Sequence, residues 1–197
     1  MKRILCLILL ATFCPTLQNT KAQETNAIQH LEFRNIPIDG PATIFISKLM
    51  QYGYTQTETA ENTILLIGDF AGFKNCRILI TCTPKSKIVE SVAVFTPVIE
   101  TWDSLKSTYY KYKEIYTKKY VTPSSYEKFD PPYYEGDGYE YSAVINDKCT
   151  YLSTYRLFNG EISITIVSSG QLLFHYQDRA NSQKSEQEEN ENITNDI

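Results

Sequence analysis

Hydrophobic and polar positions along this chain divide it into three regimes. Residues 4–14 form an almost unbroken apolar run, Ile4 to Cys14, with only Thr12 polar. Residues from Leu31 to about Gln177 alternate between strand-like and helix-like spacing. From Arg179 onward apolar residues nearly vanish, leaving Ala180, Ile193 and the terminal Ile197 among Ser, Gln, Asn and Glu. The first pattern lies behind Lys2 and Arg3 and ahead of Thr20-Lys21-Ala22, so it predicts a secretory signal over 1–22 with cleavage before Gln23. It is too short to span a bilayer as a helix, which takes about 20 apolar residues. Lipid attachment at Cys14 is the less favoured reading, because the bulky Phe13 precedes it where a small residue is wanted.

The middle regime predicts one α+β domain over 23–178. Leu31 to Ile36 alternates as a strand. Asp39 or Gly40 then caps a helix with Pro41 in its first position, whose face is Phe45, Leu49 and Tyr52 and which stops at Gly53. Ile64–Ile67, Cys76–Thr83 and Ile88–Phe95 read as strands, separated by the glycine turn Gly68–Gly72 and the loop Pro84–Lys87. Thr101 opens the clearest helix, in which Trp102, Leu105, Tyr109, Tyr112 and Tyr116 recur at spacings of three and four. Asp103 near its start and Lys118 and Lys119 near its end suit the helix dipole. Four further strands follow at Tyr139–Ile145, Lys148–Phe158, Glu161–Ser168 and Gln171–Gln177, with Asn159-Gly160 as a type I′ turn.

The expected order is β-α-β-β-β-α-β-β-β-β: a mainly antiparallel sheet with two helices packed on one face. Ile36-Pro37-Ile38 before the first helix echoes Thr96-Pro97-Val98 before the second. The echo suggests two similar halves sharing the strand at Ile88–Phe95. The polar stretch 179–197 is expected to be a disordered acidic tail, since it has little apolar surface to offset the entropy of ordering.

Charge changes the picture only by exclusion. The whole chain carries −4, and losing Lys2, Arg3 and Lys21 takes the processed form to −7. A nucleic-acid partner, which wants a basic face, is not expected. Three cysteines remain after cleavage. Cys76 and Cys82 sit on one strand roughly 20 Å apart, so they cannot pair with each other. One bridge to Cys149 or three buried thiols both stay open.

Assembled chemistry is sparse. His30 and His175 are the only histidines, and no Gly-x-Ser-x-Gly elbow, phosphate-cradling glycine loop or His-x-x-x-His pair is present. No cofactor and no metal are expected. One segment stands out, Phe129 to Tyr141, dense in carboxylates and tyrosines and stiffened by Pro131 and Pro132. Tyrosines supply rigid contact area with a polar tip, and carboxylates accept hydrogen bonds from amides or sugars. The candidate site is therefore Asp130, Tyr133, Tyr134, Glu135, Asp137 and Tyr139. Its donors do not follow the spacing of a calcium loop, and a plain polar connection is the competing reading.

The stretch Leu31–Gly40, with Gly68-Asp-Phe-Ala-Gly72 and Trp102, resembles uncharacterised exported proteins of Gram-negative anaerobes. More distantly, the layout resembles PepSY and β-lactamase-inhibitor-like envelope modules. The resemblance is of layout over most of the processed chain, carries no catalytic residue, and implies an envelope binding or inhibitory module. The expectation is a periplasmic or secreted, non-enzymatic module that does not span a membrane. Its partner is expected to be an envelope protein or peptide, with a glycan as the alternative.

Overall fold

A computed structural model describes residues 28–195 of the chain. The expected signal over 1–22, with Cys14, lies outside the described residues. The fold is α+β, built on one eight-stranded antiparallel sheet. A short hairpin, β1 (Glu32–Phe33) and β2 (Ile36–Pro37), stands where a single strand was expected. Arg34 and Asn35 turn the chain between them with φ of 55° and 61°. Leu31, Phe33, Ile36 and Ile38 are nonetheless all buried, so the alternation marked the right residues but not the turn between them.

Helix α1 (Ala42–Gln51) follows, capped by Pro41 rather than begun by it, and buries Phe45, Ile46 and Leu49. Tyr52, expected on that face, is half exposed just past the helix end, with the Arg34 guanidinium 5.1 Å from its ring. Four strands then meander: β3 (Thr55–Thr59), β4 (Thr63–Phe70), β5 (Phe73–Cys82) and β6 (Val89–Phe95). Helix α2 (Trp102–Lys119) begins as its pattern predicts. The Thr101 hydroxyl accepts from Ser104 N at 3.4 Å, and Trp102, Leu105, Tyr109, Tyr112 and Tyr116 are all buried.

A second meander follows: β7 (Ser124–Phe129), β8 (Cys149–Leu157), β9 (Gly160–Val167) and β10 (Gln171–Asp178), with helix α3 (Glu140–Ile145) between β7 and β8. The strand order is β3-β4-β5-β6-β10-β9-β8-β7. Two units of one helix plus a four-stranded meander thus lie side by side, zipped through β6 and β10. The strand at Val89–Phe95 belongs to the first unit and is not shared, because β10 takes the matching place in the second.

Four expectations are corrected. Residues 140–145 are helical, not a strand: Ala143 N bonds back to Tyr139 O, and Ala143 and Val144 pack inward on one helical face. Strands β3 and β7 were missed; every residue of β3 and five of six in β7 are exposed, so neither carries hydrophobic alternation. Asn159-Gly160 is not a type I′ turn, since neither residue has positive φ. Gly160 is needed instead because a Cβ there would lie 2.3 Å from the backbone oxygen of Gln177.

The fourth correction concerns the tail. Residues Arg179–Asn195 form helix α4, not a disordered segment. Its anchors are polar, which a count of apolar residues does not register. Asp178, 1% exposed, caps the start by accepting from Asn181 N at 3.0 Å. The Asn181 amide donates to Ile38 O and Val89 O. Glu188 accepts from Lys85 N, Ser86 N and the Ser86 hydroxyl, fastening the helix to the β5–β6 connection. Glu, Gln, Lys and Ala also favour helix intrinsically.

All three described cysteines are free and buried. Cys149 is on β8, and β6, β10 and β9 stand between it and the β5 cysteines, so no bridge can form. Burial pushes the Cys82 thiol up to about 11 and Cys149 to about 12. No helix among the described residues is long and apolar enough to cross a membrane.

Candidate functional site

Strand β7 delivers the chain into the acidic, tyrosine-rich loop, and α3 takes it away. The loop folds against the helix-bearing face of the sheet, near the N-terminal half of α2. Asp130 pairs with Lys128 at 2.6 Å, both about half exposed, and this partner holds its carboxyl below the usual range. Tyr133 packs partly on the core, and its hydroxyl accepts from the Asn146 amide at 3.3 Å. Glu135 pairs with Lys106 of α2 and accepts from the Tyr151 hydroxyl at 2.9 Å; Lys106 first, then Tyr151, keeps it low and ionised. Asp137 braces the loop from inside, accepting from Tyr134 N at 3.0 Å and Tyr139 N at 2.7 Å. Glu140 accepts from Gly136 N at 2.7 Å.

Tyr134 and Tyr139 are 66% and 65% exposed, and Asp130 and Glu135 stay about half exposed beside their lysines. The carboxylates serve as the loop's scaffold. The loop thus presents two phenol rings on a frame in which Asp137 and Glu140 accept from its own backbone, Asp130 from Lys128 of β7, and Glu135 from Lys106 of α2 and Tyr151 of β8.

Next to it lies a network that sequence spacing did not reveal. Glu127 on β7 pairs with Lys113 at 2.7 Å and accepts from Tyr110 at 2.7 Å. Burial alone would raise its pKa, but these donors outweigh it and the carboxyl is lowered. Tyr109 hydrogen-bonds Ser153 at 2.6 Å in the core. Burial, with Glu127, pushes Tyr110 up to about 12, and burial also raises Tyr109 and Tyr151. These phenols stay protonated donors at neutral pH, and each oxygen of the Glu127 and Glu135 carboxylates they face already accepts from at least one donor. Two acids held this way suit bracing rather than proton transfer, which needs a group free to accept. Among the described residues no group of three or more His, Cys, Asp or Glu is placed to hold a metal ion.

The opposite face of the sheet carries no α1, α2 or α3. Side chains there line up in cross-strand rows. One row runs across all eight strands: Thr55, Ile67, Arg77, Phe95, Leu173, Thr165, Leu152 and Tyr126. Five of these eight are large and apolar, all at least partly exposed, with Ile67 at 36% and Tyr126 at 54%. The Arg77 guanidinium lies 5.5 Å from the Phe95 ring. The next row holds Leu65, Leu79, Ala93 and His175, and a third is polar: Thr81, Ser91, Gln177, Glu161 and Arg156. Helix α4 lies along that polar end, where Ser182 and Glu186 approach Gln177 and Glu161. Burial lowers the pKa of His175, against a smaller opposing pull from Glu161, so burial favours the neutral ring.

The open face and the loop are on opposite sides of the sheet, so they do not make one combined surface. The apolar row was visible only in part, because Leu65, Ile67, Leu79 and Phe95 read as ordinary core positions of apolar strands. The chain matches no family model, no curated protein and no solved structure.

Proposed function

We propose that this chain is an exported, non-enzymatic interaction module of the bacterial envelope that binds a protein or peptide on its open sheet face. The observation that carries the reading is the row crossing all eight strands of the open face, in which five of eight positions are large, apolar and at least partly exposed. At about 4.8 Å per strand it extends for about 34 Å. Sheets solvated on one face ordinarily alternate cleanly between apolar and polar residues, and a long exposed apolar row departs from that. Exposed apolar patches rimmed by polar residues mark interaction sites on soluble proteins, and here Phe95 with Leu173 and Leu152 with Tyr126 are cross-strand neighbours. The free edges, β3 and β7, are polar and charged, and β3 also carries a bulge between Gln56 and Glu58, both devices against edge-to-edge pairing. The face rather than an edge is thus the surface left for a partner. The apolar run at Ile4–Cys14 supports export.

A second reading has its own support. Tyr134 and Tyr139 stand exposed on a loop braced from within by Asp137, an arrangement suited to stacking against sugar rings. It would make the chain a carbohydrate-binding accessory domain.

Crosslinking capture from the native envelope separates the two, using the wild type, a Phe95→Ser/Leu173→Ser variant and a Tyr134→Ser/Tyr139→Ser variant. A specific protein captured by wild type and by the loop variant, but lost with the face variant, is the expected result. Loss with the loop variant alone, together with competition by free sugars, moves the site to the loop. Capture of the same proteins by all three forms sinks both readings.

A further inference from the structure

A cavity of about 580 Å3 opens between the C-terminal half of α2, the β1–β2 hairpin and the β8–β9 turn. Small-molecule sites span roughly 300–1,000 Å3. This cavity lies away from the acidic loop, and its floor is the helix-bearing side of the sheet, so it is separate from the open face and goes beyond the reading above.

Its floor is aromatic: Phe70, Tyr116 and Tyr176 are all buried. The hydroxyls of Tyr116 and Tyr176 hydrogen-bond each other, and neither has a second partner among the described residues. Two phenols joined by one hydrogen bond leave one O–H hydrogen undonated. Tyr116 and Tyr176 are only 6% and 5% exposed, so that hydrogen has little bulk water to meet. A buried donor without an acceptor is costly, so an acceptor atom entering the cavity is favoured there. Burial raises the pKa of both phenols, which keeps the pair a neutral donor at physiological pH.

The rim carries the charge. Arg34 and Lys119 both line the mouth, and neither is within ion-pair distance of a carboxylate among the described residues. They rest on aromatic faces instead: Arg34 5.1 Å from the Tyr52 ring and 5.8 Å from Tyr54, Lys119 4.9 Å from Tyr120. Glu32 also reaches the rim, and His30 is engaged with Asp178, so the mouth keeps an excess positive charge. Arg34 is held at φ 55° and Ala71, across the mouth, at φ 50°. Both are turn positions, in the β1–β2 and β4–β5 hairpins, and they set the backbone that frames the mouth. Phe158 and Ile115, 70% and 45% exposed, add an apolar lip.

We infer that this cavity binds a small amphipathic carboxylate whose acyl or aryl body, bearing an acceptor oxygen, rests on Phe70, Tyr116 and Tyr176 while its anionic head meets Arg34 and Lys119. The body covers the aromatic floor, its oxygen takes the spare tyrosyl hydrogen, and the carboxylate gives the two cations the counter-charge they lack. A neutral ligand would leave the rim uncompensated, and a cationic one would be repelled.

The test uses the full chain with two probes, 4-methoxycinnamate and its neutral amide, titrated by calorimetry and by displacement of 8-anilinonaphthalene-1-sulfonate. The acid should bind about tenfold more tightly than the amide, the factor expected when one charged contact is worth about 1.4 kcal/mol. Arg34→Asn, which places a residue tolerant of positive φ, and Lys119→Gln should each weaken the acid at least fivefold and leave the amide unchanged. Tyr116→Phe/Tyr176→Phe, which removes both hydroxyls, should erase the advantage of 4-methoxycinnamate over unsubstituted cinnamate. Equal binding of acid and amide overturns the inference, as does an acid affinity that stays within twofold in both rim variants. Absence of binding by either probe at millimolar concentration overturns it too. Thermal unfolding midpoints of the three variants, compared with wild type, keep a folding defect from passing as lost affinity.

Discussion

The two helix-plus-meander units share a plan but differ in what fills them and what is added to them. The first covers its half of the sheet with a ten-residue helix and three buried side chains, Phe45, Ile46 and Leu49. The second uses an eighteen-residue helix and an aromatic stripe, whose Tyr109 hydrogen-bonds Ser153 of β8, while Tyr155 of β8 donates to the Lys113 carbonyl of the helix. Connections differ more. β3 passes to β4 through residues 60–62, whereas β7 passes to β8 through 130–148, which hold the braced loop and α3. The second unit also continues into α4, for which the first has no counterpart. Additions gathered on one of two otherwise similar units are where specialisation of the fold is concentrated, since a bare meander needs neither.

The sharpest way to break that contrast is at the zipper between the units, where Val94 and Phe174 are directly opposed. Both are fully buried. Phe174, however, sits among Phe70, Tyr112 and Tyr116 at ring separations of 5.3–5.6 Å. Phe174→Ala should cost about 3–5 kcal/mol, the range for emptying a core aromatic site. Val94→Ala removes two methyl groups and should cost about 2 kcal/mol. Urea unfolding of both variants checks this. Equal losses would mean that the aromatic packing of the second unit contributes no more than aliphatic contact.

The same contrast explains what was legible. The α2 stripe was read residue for residue because five buried positions at spacings of three and four leave one geometry. Strands β4, β5, β6, β9 and β10 were found because burial on one face imposes alternation. The edge strands β3 and β7 escaped because their pairing is backbone-driven and their side chains face water. Residues 140–145 were misread because a six-residue apolar segment is too short to tell a period of two from 3.6. At the candidate loop, composition singled out the stretch by its carboxylates and tyrosines. It could not say that Glu135 would be engaged internally, because Lys106 and Tyr151 are distant in sequence and only the fold brings them together.

Helix α4 offers the next largest effect. Glu188 fastens it by three charge-assisted hydrogen bonds, and such bonds are worth about 1.5–3 kcal/mol where a charged group is involved. Burial would raise its pKa, but the Ser86 hydroxyl and the backbone N–H groups of Lys85 and Ser86 outweigh it, so the carboxyl is lowered in the fold. A depressed folded pKa gives stability that is full above the ordinary glutamate range, near 4.3, and is lost as pH falls through the folded value. Amide exchange along 179–195 should therefore quicken as pH drops below that range, after correction for intrinsic exchange. Glu188→Gln should give the faster exchange at neutral pH and flatten this pH dependence. Unchanged protection in the variant would mean that Asp178 and Asn181 alone hold the helix.

The smallest effect tests whether the loop of the second unit is scaffolded as its geometry implies. Glu135→Gln keeps the side-chain shape but removes the charge that meets Lys106 and accepts from Tyr151. The pair is partly solvated, so its loss should cost only about 0.5–1 kcal/mol. The consequence for Tyr151 is more telling. Burial and then the Glu135 carboxylate raise that phenol's pKa, so neutralising Glu135 should bring its titration down, readable as earlier phenolate absorbance in alkaline titration. Tyr134 and Tyr139 should keep their positions, because Asp137 holds their backbone N–H groups independently of Glu135. If instead Glu135→Gln disorders both tyrosines, the loop is held by its tie to α2 alone, and the platform that supports the sugar-binding reading is not preformed.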